Sequence, residues 1–242
     1  TKDKTKVKLL GKIFSESIYF SEIVINNPDY FYWLLENAYG NVKTRKEMLD
    51  DMIKACKKYK NISEKINEMR RCKNREVIRI GINDLMGISN LQTTTGEISN
   101  LADVCLEFAT MSYEEELKKT HGKINSSCKF TIISMGKLGG FELNYSSDID
   151  IMFVCEGEGE TSKTHIGYIE FYTKVAQKVC ECINQPTPEG YCFRVDTRLR
   201  PEGGKGQLVR TLDSFRAYYE TRGKTWERQA LIKARPSAGS VE

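Results

Sequence analysis

The sequence predicts an α+β protein, with a helical N-terminal region followed by a region of strands and helices. Three observations carry this. Across residues 7–119 apolar positions recur at spacings of three and four, the period of a helix face. Strand-like apolar runs begin only at Cys128. A short polar linker, residues 123–127, separates the two textures and divides the chain into 1–125 and 126–242.

Taken in order, Leu9, Leu10, Ile13, Phe14, Ile18, Phe20, Ile23 and Val24 give one or two short helices over 7–25. Pro28 stops what precedes it, and Asn27 or Asp29 caps an aromatic helix over 30–38 that Gly40 closes. Residues 44–59 form an amphipathic helix with Met48, Met52 and Ile53 on one side. Residues 63–86 form one helix or two joined. The latter carries a basic cluster (Arg70, Arg71, Lys73, Arg75), read either as a solvated face with i,i+4 partners or as a surface contacting phosphate or a partner. A further helix starts at Thr94 or Thr95 and runs to about Lys119. The second half has strand runs at 128–135, 148–155 and 191–199, a helix over 164–184, a turn at 185–190, and helical segments at 213–221 and 226–234.

Composition sets bounds. The chain has 242 residues, 40% hydrophobic and 29% charged, ordinary for a soluble globular protein. Its net charge of +4 makes little basic footprint for nucleic acid or a membrane surface. No run approaches the roughly 20 apolar residues that span a bilayer, and the basic start lacks a signal-peptide core. The eight scattered cysteines, several inside apolar patterns, fit a reduced, cytoplasmic protein. Zinc is the alternative, but Cys180-Glu-Cys182 lacks the two-residue spacer and a matching pair. A start at Thr1 and an end just after a strongly patterned segment read as a piece of a longer protein.

The chemistry gathers in residues 130–153. An apolar run is followed by a glycine turn (Gly136, Gly139, Gly140) and by a second run holding Asp148 and Asp150. At i and i+2 of a strand the two carboxylates share a face, where they repel unless a cation sits between them. Oxygen-only ligands favour Mg²⁺ or Mn²⁺. Asp196 completes a triad if its strand lies beside the first, with Lys137 and Arg198 placed to neutralise phosphate. The plainer alternative makes Asp148 a turn residue after Ser146 and Ser147, and pairs Asp150 with Arg194 or Arg198. A Walker loop and an EF-hand are both excluded by spacing. His121 and His165 read as surface residues.

Three long motifs stand in order: GKLGGFELNYSSDID (136–150), RVDTRLRPEGGKGQLVR (194–210) and TWERQALIKARPSAG (225–239). They resemble the glutamine synthetase adenylyltransferase/adenylyl-removing family, a branch of the DNA polymerase beta-like nucleotidyltransferases. Looser likenesses at 26–35, 74–87 and 101–109 extend the resemblance over nearly the whole chain.

The resemblance implies a polymerase-beta-type nucleotidyltransferase core over 126–242, a small mixed sheet flanked by helices with the helical N-terminal region packed on it, truncated on its C-terminal side. It puts metal at Asp148, Asp150 and Asp196, and the nucleotide phosphates at Gly139 and Gly140, with Ser147, Lys137 and Arg198 nearby. It implies ATP, ADP and phosphate as substrates and glutamine synthetase as the protein modified. A PII-type nitrogen signalling protein is an expected partner of the full-length enzyme. Such enzymes resemble two fused units, one adding AMP to a tyrosine and one removing it as ADP. Asn144, Arg194 and Lys233 are similar to the removing unit, Gln229 to the adding one. The rivals are a uridylyltransferase of the same fold and a non-catalytic module that senses a partner through its helical half.

Overall fold

The computed structural model describes residues 2–124 and 128–240. The inferred boundary at residue 125 and most of the polar linker therefore lie outside the described residues. The first half is helical throughout: α1 (Lys2–Glu16), α2 (Ile18–Asn26), α3 (Pro28–Asn37), α4 (Arg45–Cys56), α5 (Ile62–Leu85) and α6 (Leu91–His121). Local chemistry sets the ends. Ser17 accepts from the Phe20 amide to start α2, and Thr44 and Glu47 form a reciprocal capping box on α4. Asn27 sits at the start of α3, but its side chain turns back to the Ile23 carbonyl instead of capping forward. The stretch expected as one helix or two is a single continuous helix that ends at Leu85, with Met86 as its C-cap. The last helix of this half begins at Leu91, earlier than expected, because Asn90 caps it through the Thr93 amide.

The second half builds the sheet from β1 (Lys129–Ser134), β2 (Ile149–Glu156), β3 (Val195–Asp196), β4 (Val209–Thr211) and β5 (Arg235–Gly239). Its order is β3-β2-β1-β5, with β4 also paired to β2. The β1–β2 and β1–β5 pairs are antiparallel; β3 and β4 both run parallel to β2. These two short strands share one edge of β2 in succession, β3 against Ile149–Asp150 and β4 against Phe153–Cys155. The sheet is thus small and mixed, as expected. Between the strands come α7 (Gly136–Gly139), α8 (Tyr168–Asn184), α9 (Leu212–Thr221) and α10 (Thr225–Ala230).

The middle of β2 is buried on both faces, which explains its unbroken apolar run. Helix α8 lays Phe171, Val175 and Val179 into the core. The Tyr172 ring stacks on Phe130 of β1 at 4.7 Å, and Phe130 stacks in turn on Phe153 of β2 at 5.9 Å. The eight cysteines are reduced thiols, and six are buried. Among the described residues no helix is long and apolar enough to cross a membrane.

The basic cluster of α5 is not the solvated face that one reading of it expects. Arg70 and Lys73 are buried, and the cluster joins the two halves. Arg70 donates to the Cys182 carbonyl at 2.8 Å, Arg71 pairs with Glu189 at 2.8 Å, and Asn74 donates to the Glu189 carbonyl at 3.0 Å. One helical turn below, fully buried Arg79 is held by Glu76, Glu97 and the Asn41 carbonyl, each at 2.7 Å.

A second join involves α6 and β5. Arg235 pairs with Asp103 at 2.7 Å and donates to the carbonyls of Leu138 and Gly139. Its guanidinium lies 3.8 Å from the centre of the Phe141 ring. Glu107 accepts from the Gly239 amide at 2.7 Å. Burial pushes the Asp103 carboxyl up to about 6, and Arg235 opposes that shift. Arg235→Met should destabilise the protein by roughly 3–5 kcal/mol at pH 8, because it leaves a buried carboxylate unpaired. A folded-state carboxyl raised above its unfolded value binds protons more readily when folded, so ionisation is what costs stability. The variant, without Arg235 to oppose burial, takes up the Asp103 proton at higher pH, so the loss should shrink as the pH falls towards about 6 and be smallest below it. Urea denaturation of both proteins at pH 8 and pH 5 checks this; equal losses at the two values would count against it.

Candidate active site

The parallel register of β2 and β3 sets Asp150 directly beside Asp196. The Ile149 amide donates to the Arg194 carbonyl at 2.8 Å, locking β3 onto β2. The Met135 amide donates to the Asp150 carbonyl at 2.8 Å, locking the end of β1 to the same point. Asp148 lies one residue ahead of β2, on the loop that enters it. The three aspartates named from sequence therefore meet at one end of the sheet.

Their environments differ. Asp148 is half exposed and takes an ion pair from Arg194, which also donates to the Ser146 carbonyl at 2.7 Å. Asp196 is gripped by Arg198 through its backbone amide at 2.7 Å and its guanidinium at 2.9 Å. That guanidinium holds the Asp196 carboxyl below the usual carboxylate range. Asp150 has no paired cation among the described residues. Burial, and then the neighbouring Asp196 and Asp148 carboxylates, push its carboxyl above the usual range. The arginine pairing expected as the plainer alternative is thus present, but on Asp148 and Asp196 and not on Asp150.

The donor set for a divalent metal is all oxygen, on adjacent backbones, and mutually repulsive. Those features fit Mg²⁺ or Mn²⁺. With Asp148 and Asp196 turned to their arginines, however, no group of three His, Cys, Asp or Glu side chains among the described residues converges on one point. A metal here requires those two carboxylates to rotate from arginine to metal.

The glycine turn is one turn of helix, α7. Gly136 has φ +53°, and a Cβ on it would lie 2.6 Å from the Asp150 Oδ2. It is the glycine that touches the acidic cluster, a role the spacing alone did not assign. Gly139 is buried, and a Cβ there would lie 2.1 Å from the Lys233 carbonyl. Gly140 faces the side chains of Glu142 and Lys233, which pair with each other. Exposed Lys137 reaches the Ser147 hydroxyl at 3.3 Å. Asn144 accepts from the Ser147 hydroxyl at 2.7 Å and from the Ser146 amide at 3.2 Å, an Asx turn that shapes the loop into β2. An Asn two and three residues before serines was the available signal. Arg200 donates to carbonyls of Thr197, Gly204 and Gly206, and so braces its own loop. His165 is exposed, whereas His121 is half-buried with its ring edge-on to Phe171.

A glycine turn after one strand, with carboxylates where the next two strands lie side by side, is the arrangement expected above of a nucleotidyltransferase-type α+β domain. Sequence comparison gives the particular family. The chain belongs to the glutamate-ammonia ligase adenylyltransferase family, whose model matches residues 7–242. Its relatives include proteins named bifunctional glutamine synthetase adenylyltransferase/adenylyl-removing enzyme. That of Thioalkalivibrio sulfidiphilus is 38% identical over 182 residues, 73% of this chain and 19% of the relative. That of Nitrosomonas eutropha is 33% identical over 241 residues, 96% of this chain and 26% of the relative. That of Bartonella henselae is 34% identical over 249 residues, 97% of this chain and 25% of the relative. The chain thus spans about a fifth to a quarter of the length of these relatives.

Gly136→Ala should cost about 1–2 kcal/mol, from the left-handed backbone and from the contact with Asp150. Gly140→Ala meets only the movable ends of two side chains and should change stability by less than about 0.5 kcal/mol. Thermal melts of the two variants, side by side, test the difference.

Proposed function

We propose that this chain is a metal-dependent nucleotidyltransferase unit acting on glutamine synthetase, and that it removes AMP from a modified tyrosine by phosphorolysis. The observation that carries the reading is the register of Asp150 against Asp196, with Asp148 just upstream, in a family of proteins named for this modification.

In the removing direction an oxygen of inorganic phosphate attacks the phosphorus of the adenylyl group. The bond from phosphorus to the tyrosine oxygen breaks, the phenolate takes up a proton, and ADP leaves. Asp148, Asp150 and Asp196 would hold the Mg²⁺ or Mn²⁺. The bound ions supply charge neutralisation at the reacting phosphorus and a Lewis acid for the entering and leaving oxygens. Arg198 and Arg194, released from their carboxylates, turn to phosphate oxygens, and Lys137 and Ser147 add further donors. Gly139 and Gly140 keep the turn free of side chains where the phosphates approach. The rate comes from alignment and charge compensation.

Asn144, Arg194 and Lys233 support the removing direction, and Asn144 shapes the loop that presents Ser147. Gln229 supports the second reading, adenylyl transfer from ATP. A PII-type protein acting on the full-length enzyme belongs to the same proposal.

The deciding experiment incubates the chain with adenylylated glutamine synthetase, phosphate and Mg²⁺ and measures ADP, with ATP and unmodified synthetase in parallel. ADP release in the first arm is expected. AMP incorporation in the second alone would reverse the direction, and silence in both would remove the proposal. Asp150→Asn should lower turnover at least about a thousandfold with the fold retained by circular dichroism. Near-normal turnover with Mg²⁺ would dismiss the metal role.

A further inference from the structure

Beside the acidic end of the sheet lies a cleft of about 850 Å³, walled by α2, α5 and residues 188–194. Ser147 and Arg194 belong to both places, so the cleft opens onto the candidate active site. Lys73 lines it from within α5, only 8% exposed, with its ammonium 5.5 Å from the centre of the Phe193 ring.

Lys73 differs from every other cation of the α5 basic cluster. Arg70 has a carbonyl, and Arg71, Arg75 and Arg79 have carboxylates. Among the described residues Lys73 has neither; the thiols of Cys192 and Cys105 are the groups whose charge would favour its own. Burial lowers the pKa of its ammonium. A buried cation without a counter-charge is expensive, and the expense is removed when an anion arrives. The nearby cation at the mouth, Arg194, has Asp148 as its partner while that carboxylate holds no metal. Lys73 is therefore one positive charge in the cleft that pairs with no carboxylate among the described residues. The rings of Tyr19, Tyr145 and Tyr191 also line the cleft, suited to a flat or apolar body.

We propose that this cleft is a binding site for a monocarboxylate, with Lys73 as its counter-charge and the three tyrosines as walls for an aromatic or apolar body. A phosphate dianion would leave a charge unmatched, and the cleft is further lined by Glu22 and Glu189. The carboxylate has two possible sources: a free acid acting as an effector, or an acidic side chain of the protein acceptor whose reacting residue lies at the Arg194 mouth. Binding requires no turnover, so the inference stands or falls apart from the reaction proposed above.

The test uses the whole chain and calorimetry. One arm titrates 4-hydroxyphenylacetate. The other titrates a capped peptide with one glutamate and one tyrosine, against its glutamine analogue. Inorganic phosphate is the charge control. Binding is expected in at least one arm, weakened at least tenfold in Lys73→Met, which keeps the apolar stem and drops the charge. Acylation of Lys73, followed by mass spectrometry, should slow when the same probe is bound, while that of exposed Lys46 stays constant. This second readout uses the unaltered protein and decides the matter if Lys73→Met fails to fold. Binding of the free acid identifies an effector site, and binding of the peptide alone an acceptor site. No binding in either arm, equal binding by Lys73→Met, or tighter binding of phosphate than of the carboxylates would overturn the proposal.

Discussion

The ion pair between Asp103 and Arg235 is the contact on which the arrangement depends. It crosses 132 residues of sequence and joins the helical half to the sheet. Asp103 is 1% exposed, so its charge exists in the folded protein only because Arg235 faces it. Arg235 spends its remaining donors on the carbonyls of Leu138 and Gly139, the free end of the one-turn helix α7. That helix begins at Gly136, against Asp150. A single guanidinium thus links α6, the edge strand β5 and the turn that shapes the acidic cluster.

The same logic of matched charge operates at the acidic end, with a different outcome. Asp148 and Asp196 are exposed enough to recruit arginines from the surface, Arg194 and Arg198, whose own side chains are 55% and 81% exposed. Such pairs are weak and exchangeable. Asp150 lies deeper and among the described residues forms no ion pair, so burial and then the repulsion of its neighbours push its carboxyl up. The cluster has strong internal pairing nowhere except in its backbone, where β1, β2 and β3 are locked by amide hydrogen bonds.

Much of this was legible in the sequence. The helices were written in their period, because each buries a stripe of apolar residues. The carboxylate triad was legible because Asp148 and Asp150 interrupt an apolar run where a carboxylate is costly. The short strands were less so. Residues 191–199 contribute only Val195–Asp196 as strand, and neither β4 nor β5 was anticipated, since two to five residues are too few to show alternation. The basic cluster of α5 misled for a related reason. Charge in a helix implies solvent unless its partners are known, and the partners of Arg70 and Arg71 lie 112 and 118 residues away. Arg235 stood unmarked in IKAR beside Lys233, the residue that drew attention, because only the fold reveals that Asp103 lies opposite.

The brevity of β3 has a mechanical meaning. A two-residue strand contributes little pairing of its own, yet it carries Asp196. What precedes it, the segment from Cys182 to Glu189, is fastened to α5 through Arg70, Arg71 and Asn74. The third carboxylate is therefore aligned less by the sheet than by the helical bundle behind it. The bundle works as the jig that sets the separation between two reactive edges, and a tilt of α5 would be transmitted to that gap as a change of gauge.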